Sequence, residues 1–152
     1  MIGRVQRNKA ASVAGWADSV DSLDRIEVVA PLGAAALALG RRIEVLVQVA
    51  LDPVEREGRG GIAPSGVLDL ADAIGAQPAL VLRGVMGIAP HPGDPSEAFA
   101  RLATVAAGLR QRWPEATCIS AGMSGDLEIA IAHGATQVRV GGAILGQRTR
   151  VQ

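Results

Sequence analysis

The residues best suited to chemistry in this sequence of 152 residues lie in two glycine-containing loops near its C-terminal end. The first loop, residues 121–126, offers the hydroxyl group of Ser124. The second loop, residues 141–143, offers the backbone N–H groups of Gly141, Gly142 and Ala143. Unpaired amides at the start of a helix attract anions, because they lie at the positive end of the helix dipole. The two loops together predict a phosphate site.

Each of these features also has a purely structural interpretation. Ser124 could serve only as the N-cap of a helix predicted over 127–133, and the Gly141-Gly142 pair could be a tight turn. Arg139 lies between two valines in a predicted strand, so strand alternation places it on the opposite face from both. An arginine inside a barrel is costly unless it faces a ligand or pairs with an acid. Both interpretations stay open at this point.

Other kinds of site find little support in the sequence. No spacing of His, Cys, Asp and Glu suggests a metal, and the glycines fit neither the P-loop nor the dinucleotide fingerprint. The sequence has no tyrosine and one lysine, Lys9, against fourteen arginines. A mechanism that requires a tyrosine acid or a second lysine cannot be performed by this chain alone.

Composition indicates a globular cytoplasmic protein. Hydrophobic residues make up 49% and charged residues 20% of the sequence, and fifteen acidic residues balance fifteen basic ones. No net field therefore favours nucleic acid or an anionic membrane, and no apolar run is long enough to span a bilayer. The lone Cys118 excludes an internal disulfide and fits a reducing compartment. We expect neither a nucleic-acid nor a membrane partner.

The order of predicted elements indicates a parallel α/β fold, because short β-branched runs alternate with Ala/Leu-rich segments. At most six strands are predicted, at 1–5, 18–20, 44–49, 79–85, 117–120 and 137–140. Ser22 is the predicted cap of a helix that reaches residue 39, and Pro31 should break or kink it. Further helices are predicted near 10–14, at 65–75, at 96–112 after a cap at Asp94 or Ser96, and at 127–133. A mobile loop is predicted at 52–61.

Two consecutive phosphate loops near the C-terminus are typical of the (β/α)₈ barrel, whose phosphate site often follows its last two strands. A closed barrel needs eight strands and typically about 250 residues. The sequence therefore predicts one domain over 1–152 that is an incomplete (β/α)₈ TIM barrel with about six of its eight strands, or else an open doubly wound sheet.

These segments resemble the pyridoxal phosphate homeostasis proteins, which are single-domain relatives of the alanine racemase N-terminal barrel. The most specific match pairs Ser120-Ala-Gly-Met-Ser-Gly-Asp-Leu-Glu128 with Val138-Arg-Val-Gly-Gly-Ala-Ile-Leu-Gly146, at the spacing and order of the family. Residues 2–9, 19–22, 45–49 and 82–86 resemble the third to sixth strands of that barrel. The resemblance covers nearly the whole chain.

The resemblance implies pyridoxal 5'-phosphate (PLP) as the cofactor. It assigns Ser124 and the Gly141-Gly142 turn to the cofactor phosphate, Arg139 to a place beneath the pyridine ring near its nitrogen, and Met123 to the wall of the pocket. Gly142 stands where the family usually has Thr or Ser, so one hydroxyl contact with the phosphate is lost.

The resemblance also implies that the first two strands of the family barrel, with the lysine that binds PLP covalently, precede the start of this chain. We therefore expect weak, non-covalent PLP binding in intracellular PLP homeostasis, with Lys9 a solvated charge rather than a substitute for that lysine. One alternative is a racemase-like PLP enzyme, although related racemases use a lysine and a tyrosine. Another is an incomplete fragment without cofactor, whose exposed sheet edges would favour self-association.

Overall fold

A computed structural model describes residues 1–52 and 59–146 of the chain. Its centre is a parallel sheet of four strands, which lie in the same order in the sheet as in the sequence. These strands are β1 (Ser19–Leu23), β2 (Ile43–Val49), β3 (Leu80–Gly87) and β4 (Cys118–Ser120). The longer helices connect successive strands, as expected for repeated βα units.

The structure contains six α-helices among the described residues. They are α1 (Ala10–Ala14), α2 (Ile26–Ala38), α3 (Val67–Gly75), α4 (Pro95–Arg112), α5 (Leu127–Ala132) and α6 (Gly142–Leu145). Short 3₁₀ turns cover Arg7–Lys9 and Pro64–Gly66. None of the described helices is both long and apolar enough to cross a bilayer.

The core lies on both faces of the central strands. In β2, Val45 and Val47 are completely buried on one face, and Leu46 is nearly so on the other. This burial explains why the strand is almost continuously apolar, since a parallel strand is covered by helices on one side and by the barrel interior on the other. The strand predicted at 44–49 is confirmed, with one further residue at its start.

Gly84 sets the close approach of β3 to β4. Its φ angle is 150°, and a Cβ atom there would lie 1.9 Å from the carbonyl oxygen of Cys118. The register between β2 and β3 also shifts next to this residue, so the strand is irregular where the glycine lies. Only glycine allows the two strands to pair at this point.

The predicted Ser22 cap of the second helix is wrong, and the helix is not broken at Pro31. Ser22 lies inside β1 rather than capping α2, and its hydroxyl donates to the carbonyl oxygen of Gly3 at 2.5 Å. The helix continues through Pro31 to Ala38. Its buried face, which includes Leu32, packs into the core on both sides of the proline, and this packing outweighs the loss of one backbone donor.

Capping of α4 agrees with the sequence. The Asp94 side chain accepts a hydrogen bond from the backbone N–H of Ser96 at 2.8 Å, and Pro95 occupies the first helical position. The predicted loop at 52–61 falls mainly on residues 53–58, which lie outside the described part of the chain.

The prediction of six strands is too high, because the described residues form four. The segment 1–5 lies beside β1, and the Met1 carbonyl accepts the backbone N–H of Asp21 at 2.9 Å. Side chains bind two of its other carbonyls, since Arg25 donates to the Val5 oxygen at 2.7 Å and Ser22 donates to that of Gly3. A regular ladder therefore does not form there.

The segment 137–140 follows the chain beyond β4 without becoming a full strand. The backbone N–H of Ala121 donates to Gln137 at 2.9 Å, and the N–H of Arg139 donates to Gly122 at 2.9 Å. Only one bridge, between Ser120 and Gln137, has sheet geometry. These bonds nevertheless hold Arg139 beside the first loop.

Candidate functional site

The five residues predicted for the site line one open cleft of about 860 Å³, which is within the range of about 300–1,000 Å³ found for small-molecule pockets. The cleft lies beyond the carboxyl ends of β3 and β4. Both loops contribute to it, and Ile2 and Ile88 complete its apolar wall. The structure thus brings together Met123, Ser124, Arg139, Gly141 and Gly142.

The first loop is held by reciprocal hydrogen bonds. The backbone N–H of Met123 donates to Oδ1 of Asp126 at 2.6 Å, and the N–H of Asp126 donates to the Met123 carbonyl at 3.1 Å. At the base of the loop, Gly122 has a φ angle of 91°, and a Cβ atom there would lie 2.7 Å from that of Ala130. The loop therefore packs closely against α5.

Ser124 is not the cap of α5. Asp126 occupies the N-cap position, and the side chain of Ser124 is exposed at the tip of the first loop. The interpretation of Ser124 as only a helix cap is therefore wrong. Its hydroxyl group lines the cleft instead, where it can reach a ligand.

The second loop leaves space beside its backbone. A Cβ atom added to Gly141 or Gly142 would meet no atom within 4 Å, and neither residue has a positive φ angle. Backbone conformation therefore does not require glycine here, which argues against a turn that depends on φ > 0. Absence of side chains exposes the amides to the cleft.

Backbone amides of both loops remain available to a ligand. Within the described residues, no hydrogen bond uses the N–H groups of Ser124, Gly125, Gly141 or Gly142. The helices α5 and α6 are six and four residues long, so their macrodipoles are small. Attraction for an anion therefore comes chiefly from these local N–H groups and from the nearby cation.

That cation is Arg139, whose side chain is half-buried. One terminal nitrogen donates to Oγ of Ser120 at 2.9 Å, and the other donates to the carbonyl oxygen of Gly87 at 2.9 Å. No carboxylate in the described part of the chain forms a direct ion pair with it. Its nearest acidic groups, Asp21 and Asp126, interact with Arg139 through their charge without direct contact, so the alternative of a structural ion pair is reduced to an indirect interaction.

Burial lowers the pKa of Arg139, while the charges of Asp21 and Asp126 act in the opposite direction. The guanidinium stays protonated at neutral pH, because its ordinary pKa is far above that range. The cleft therefore contains a cation next to the hydrogen-bond donors that could bind a phosphate.

Sequence reasoning missed the groups behind Arg139. Asp21 is 3% exposed and accepts hydrogen bonds from the Ser19 hydroxyl at 2.9 Å, the Ser120 hydroxyl at 3.1 Å and the Gln137 amide at 2.9 Å. A carboxylate in the middle of a short buried strand was the available signal, because burying a charge is costly without partners.

Lys9 lies away from this arrangement. It is exposed at the end of the Arg7–Lys9 turn and is not among the residues that line the cleft. No group of three or more metal-binding side chains occurs in residues 1–52 and 59–146.

Comparison with known proteins identifies the family. Residues 2–149 match the alanine racemase N-terminal domain. The chain belongs to the alanine racemase N-terminal domain family. Its relatives include the pyridoxal phosphate homeostasis protein of Mycobacterium tuberculosis H37Rv, which is 43% identical over 97% of this chain. That of Corynebacterium glutamicum is 41% identical, again over 97% of the chain. The predicted resemblance is confirmed.

Solved structures show the same fold. The PLP-bound structure of PipY from Synechococcus elongatus has a TM-score of 0.84 and is 32% identical, with 95% of this chain and 68% of that one covered. D-threonine aldolase from Filomicrobium marinum shares the fold, with a TM-score of 0.72 at 22% identity over 91% of this chain and 40% of that one. The fold class predicted from the sequence, an incomplete barrel, is confirmed.

The chain spans only part of these relatives. It covers 60% of the length of the Mycobacterium tuberculosis protein and 69% of the Corynebacterium glutamicum protein. The homology therefore covers almost all of this chain but not all of the proteins it resembles.

Proposed function

We propose that this chain binds PLP in the cleft and takes part in PLP homeostasis. The observation that carries the proposal is the convergence of the Ser124 hydroxyl and the unpaired amides of both loops on a cleft that also contains Arg139. Its relatives are named pyridoxal phosphate homeostasis proteins, and PipY has been solved with PLP bound.

The residues present fit a phosphate ester with an aromatic ring. A phosphate accepts hydrogen bonds, and Ser124, Gly125, Gly141 and Gly142 offer donors with open space in front of the glycines. No carboxylate is among the cleft-lining residues of the described chain. Met123 offers an apolar surface to the ring, and Arg139 offers a cation near it.

In this proposal the binding is non-covalent. PLP, when bound, supplies an aldehyde that reacts with amines, and the side-chain amine of the sequence is that of Lys9 alone. Because Lys9 is exposed and does not line the cleft, it is poorly placed for that reaction. Affinity then rests on hydrogen bonds and charge, so we expect it to be weak.

The same proposal makes the chain a carrier rather than an enzyme. Racemisation needs acid/base groups on both faces of the reacting carbon. Arg139 is the titratable side chain among the described residues that line the cleft, and the sequence contains no tyrosine. An alanine racemase assay on the purified chain with added PLP should detect no turnover, and sustained turnover would reject the carrier role.

Absorbance titration of the purified chain with PLP tests binding directly. Ser124→Ala should weaken binding by about tenfold or more, because one hydrogen bond to a charged group is lost. Ser65→Ala is the matched control, since Ser65 is an exposed serine in the Pro64–Gly66 turn and does not line the cleft. No binding by the native chain would reject the proposal.

Covalent chemistry is tested by borohydride reduction of the PLP mixture followed by peptide mass analysis. If binding is non-covalent, borohydride should not attach PLP to the protein in an amount close to one per chain. A stoichiometric adduct on Lys9 would contradict this part of the proposal and leave the phosphate site unaffected.

For its partners, we propose self-association in the cytoplasm through the sheet edges that the incomplete barrel leaves exposed. Ile2 at the wall of the cleft and Ile144 in α6 are 61% and 75% exposed, and within the described part of the chain the segment 1–5 lies beside β1 without forming a strand. Apolar exposure next to an incompletely paired edge favours association. Light scattering of the purified chain should report a mass above that of a monomer, and a monomer at high concentration would reject this part.

A further inference from the structure

Asp21 is a buried carboxylate without a direct cationic partner. Its three hydrogen-bond donors are two hydroxyl groups and one amide, all of them neutral. A carboxylate removed from water in this way is costly unless a positive charge lies near. That charge belongs to Arg139, which lies one hydroxyl group away from the carboxylate.

Ser120 connects the two charged groups in one direction. It is completely buried, and its hydroxyl group has a single proton to donate. That proton goes to Oδ2 of Asp21, so the oxygen is free to accept a hydrogen bond from Arg139 at 2.9 Å. The carboxylate therefore sets the orientation of the hydroxyl, and the hydroxyl sets the position of the guanidinium.

A second contact completes the placement of Arg139. Its other terminal nitrogen donates to the carbonyl oxygen of Gly87 at the end of β3. A planar guanidinium held at two of its nitrogens has little freedom to rotate, while its other N–H groups remain for a ligand. Arg139 is thus preorganised at the wall of the cleft before any ligand enters.

We propose that Asp21 is a positioning residue, which holds Arg139 against the ring of PLP through the hydroxyl of Ser120. This inference rests on the proposed PLP site and adds a residue to it from β1, at the opposite end of the sheet from β4. The competing explanation is structural, because Asp21 also accepts a hydrogen bond from Gln137 and could act only by anchoring that segment.

The two explanations differ in what three variants do to PLP affinity. If Asp21 acts through Ser120, Asp21→Asn and Ser120→Ala should each weaken PLP binding by about tenfold, since each breaks the chain of charged hydrogen bonds. Gln137→Ala should then leave the affinity close to native. If Asp21 acts through Gln137, the Gln137 variant should weaken binding as much as Asp21→Asn, and this would overturn the proposal.

Inorganic phosphate and a second buried carboxylate provide the controls. In the proposed site, inorganic phosphate is bound by the two loops and Arg139 adds its charge whatever its exact orientation, so phosphate affinity should change much less than PLP affinity in Asp21→Asn. Equal losses for phosphate and PLP would mean that the whole cleft is distorted. Asp24→Asn is the matched variant, because Asp24 is also buried near the end of β1 but its partners do not include Ser120 or Arg139. Its PLP affinity should stay near native.

Absence of PLP binding by the native chain would reject the proposed function. The positioning of Arg139 by Asp21 through Ser120 could still be tested without PLP. NMR of the arginine side chains measures how fast each guanidinium group rotates. The signal of Arg139 is identified as the one that is missing in Arg139→Lys. We expect restricted rotation of the Arg139 guanidinium in the native chain and faster rotation in Asp21→Asn and Ser120→Ala. Unchanged restriction in both variants would overturn the role of Asp21.

Discussion

Two buried carboxylates, Asp21 in the middle of β1 and Asp24 directly after its last residue, are satisfied in opposite ways. Asp24 is 5% exposed and accepts from the guanidinium groups of Arg4 and Arg25, at 3.2 and 3.1 Å, and from the backbone N–H of Gly61 at 3.2 Å. Asp21 accepts only from neutral groups. The charge of Asp24 is balanced by arginines in direct contact with it, whereas, within the described residues, the charge of Asp21 is balanced only by the more distant Arg139 in the cleft.

This difference separates a structural role from a role at the site. Asp24 connects the segment 1–5, the start of α2 and the chain near Gly61, all with its charge balanced locally. Asp21 has no direct counter-ion in the described part of the chain. It accepts a hydrogen bond from Ser120, which in turn accepts one from Arg139 at the wall of the cleft. A buried charge that lacks its own counter-ion is therefore informative about where a ligand is expected.

The largest expected effect is on stability, from Asp24→Ala. The change removes the acceptor of a buried backbone N–H and of two guanidiniums, and it should lower the free energy of unfolding by about 2–3 kcal/mol. Chemical denaturation measures this. Arg4→Ala is the control and should cost under about 1 kcal/mol, because the Arg4 side chain is 49% exposed.

PLP titration of the Asp24 variant under conditions where it is folded adds the second half of this test. Native affinity in the folded Asp24→Ala protein would support the separation of the two carboxylates. A loss of affinity as large as that of Asp21→Asn would show that the two are one network.

Asp21→Ala should cost less stability than Asp24→Ala, about 1–2 kcal/mol. Its donors Ser19 and Gln137 are close enough to the surface to bind water instead, and only Ser120 is fully buried. The same chemical denaturation, run in parallel, compares the two variants. A larger loss for Asp21→Ala would reverse the comparison and assign the main structural role to Asp21.

A gain of binding is expected at the cleft from Gly142→Ser. A Cβ atom at this position would meet no atom within 4 Å, and a hydroxyl group there would add one donor to the phosphate. PLP and phosphate should each bind roughly fivefold more tightly.

Gly108→Ser is the matched control for this gain. Gly108 also has open space around it, but it lies in α4 and does not line the cleft. Affinity should be unchanged in this variant. Failure of Gly142→Ser to improve phosphate binding, with its fold intact, would place the phosphate elsewhere in the cleft.

The smallest effect concerns a charged pair on the surface, which serves as the exposed reference for the two buried carboxylates. The hydrogen bond from Arg112 lowers the pKa of Asp72. The pair therefore stabilises the fold above the unfolded-state pKa of the aspartate, and this contribution is lost as the pH falls through the lower folded-state value. Solvent screens the pair, so the contribution is small.

Asp72→Asn should accordingly reduce the dependence of stability on pH in the acid range and change little at neutral pH. Denaturation curves at a series of pH values measure this. A large loss of stability at neutral pH would mean that the exposed pair matters as much as the buried carboxylates.

Sequence reasoning succeeded where a feature depends on neighbours in the chain. The Asp94 cap, the strand at 44–49 and the two glycine loops each follow from local residue types, and the order of the elements indicates the parallel fold. It failed where side chains from a distant segment bind the backbone groups that a strand would need for pairing. The segment 1–5 did not become a strand because side chains of β1 and of the residue before α2 bind its carbonyls.

Local pattern and motif spacing were thus enough to predict the barrel type and the two phosphate loops, and the resemblance to a known family added the five candidate residues of the cleft. The tertiary structure decided which groups stand behind them. Asp21 lies 99 residues from Ser120 and 116 from Gln137 in the sequence, yet all three meet at hydrogen-bond distance. Strand order and register create such contacts, and neither follows from periodicity along the chain, since each depends on how the whole sheet is assembled.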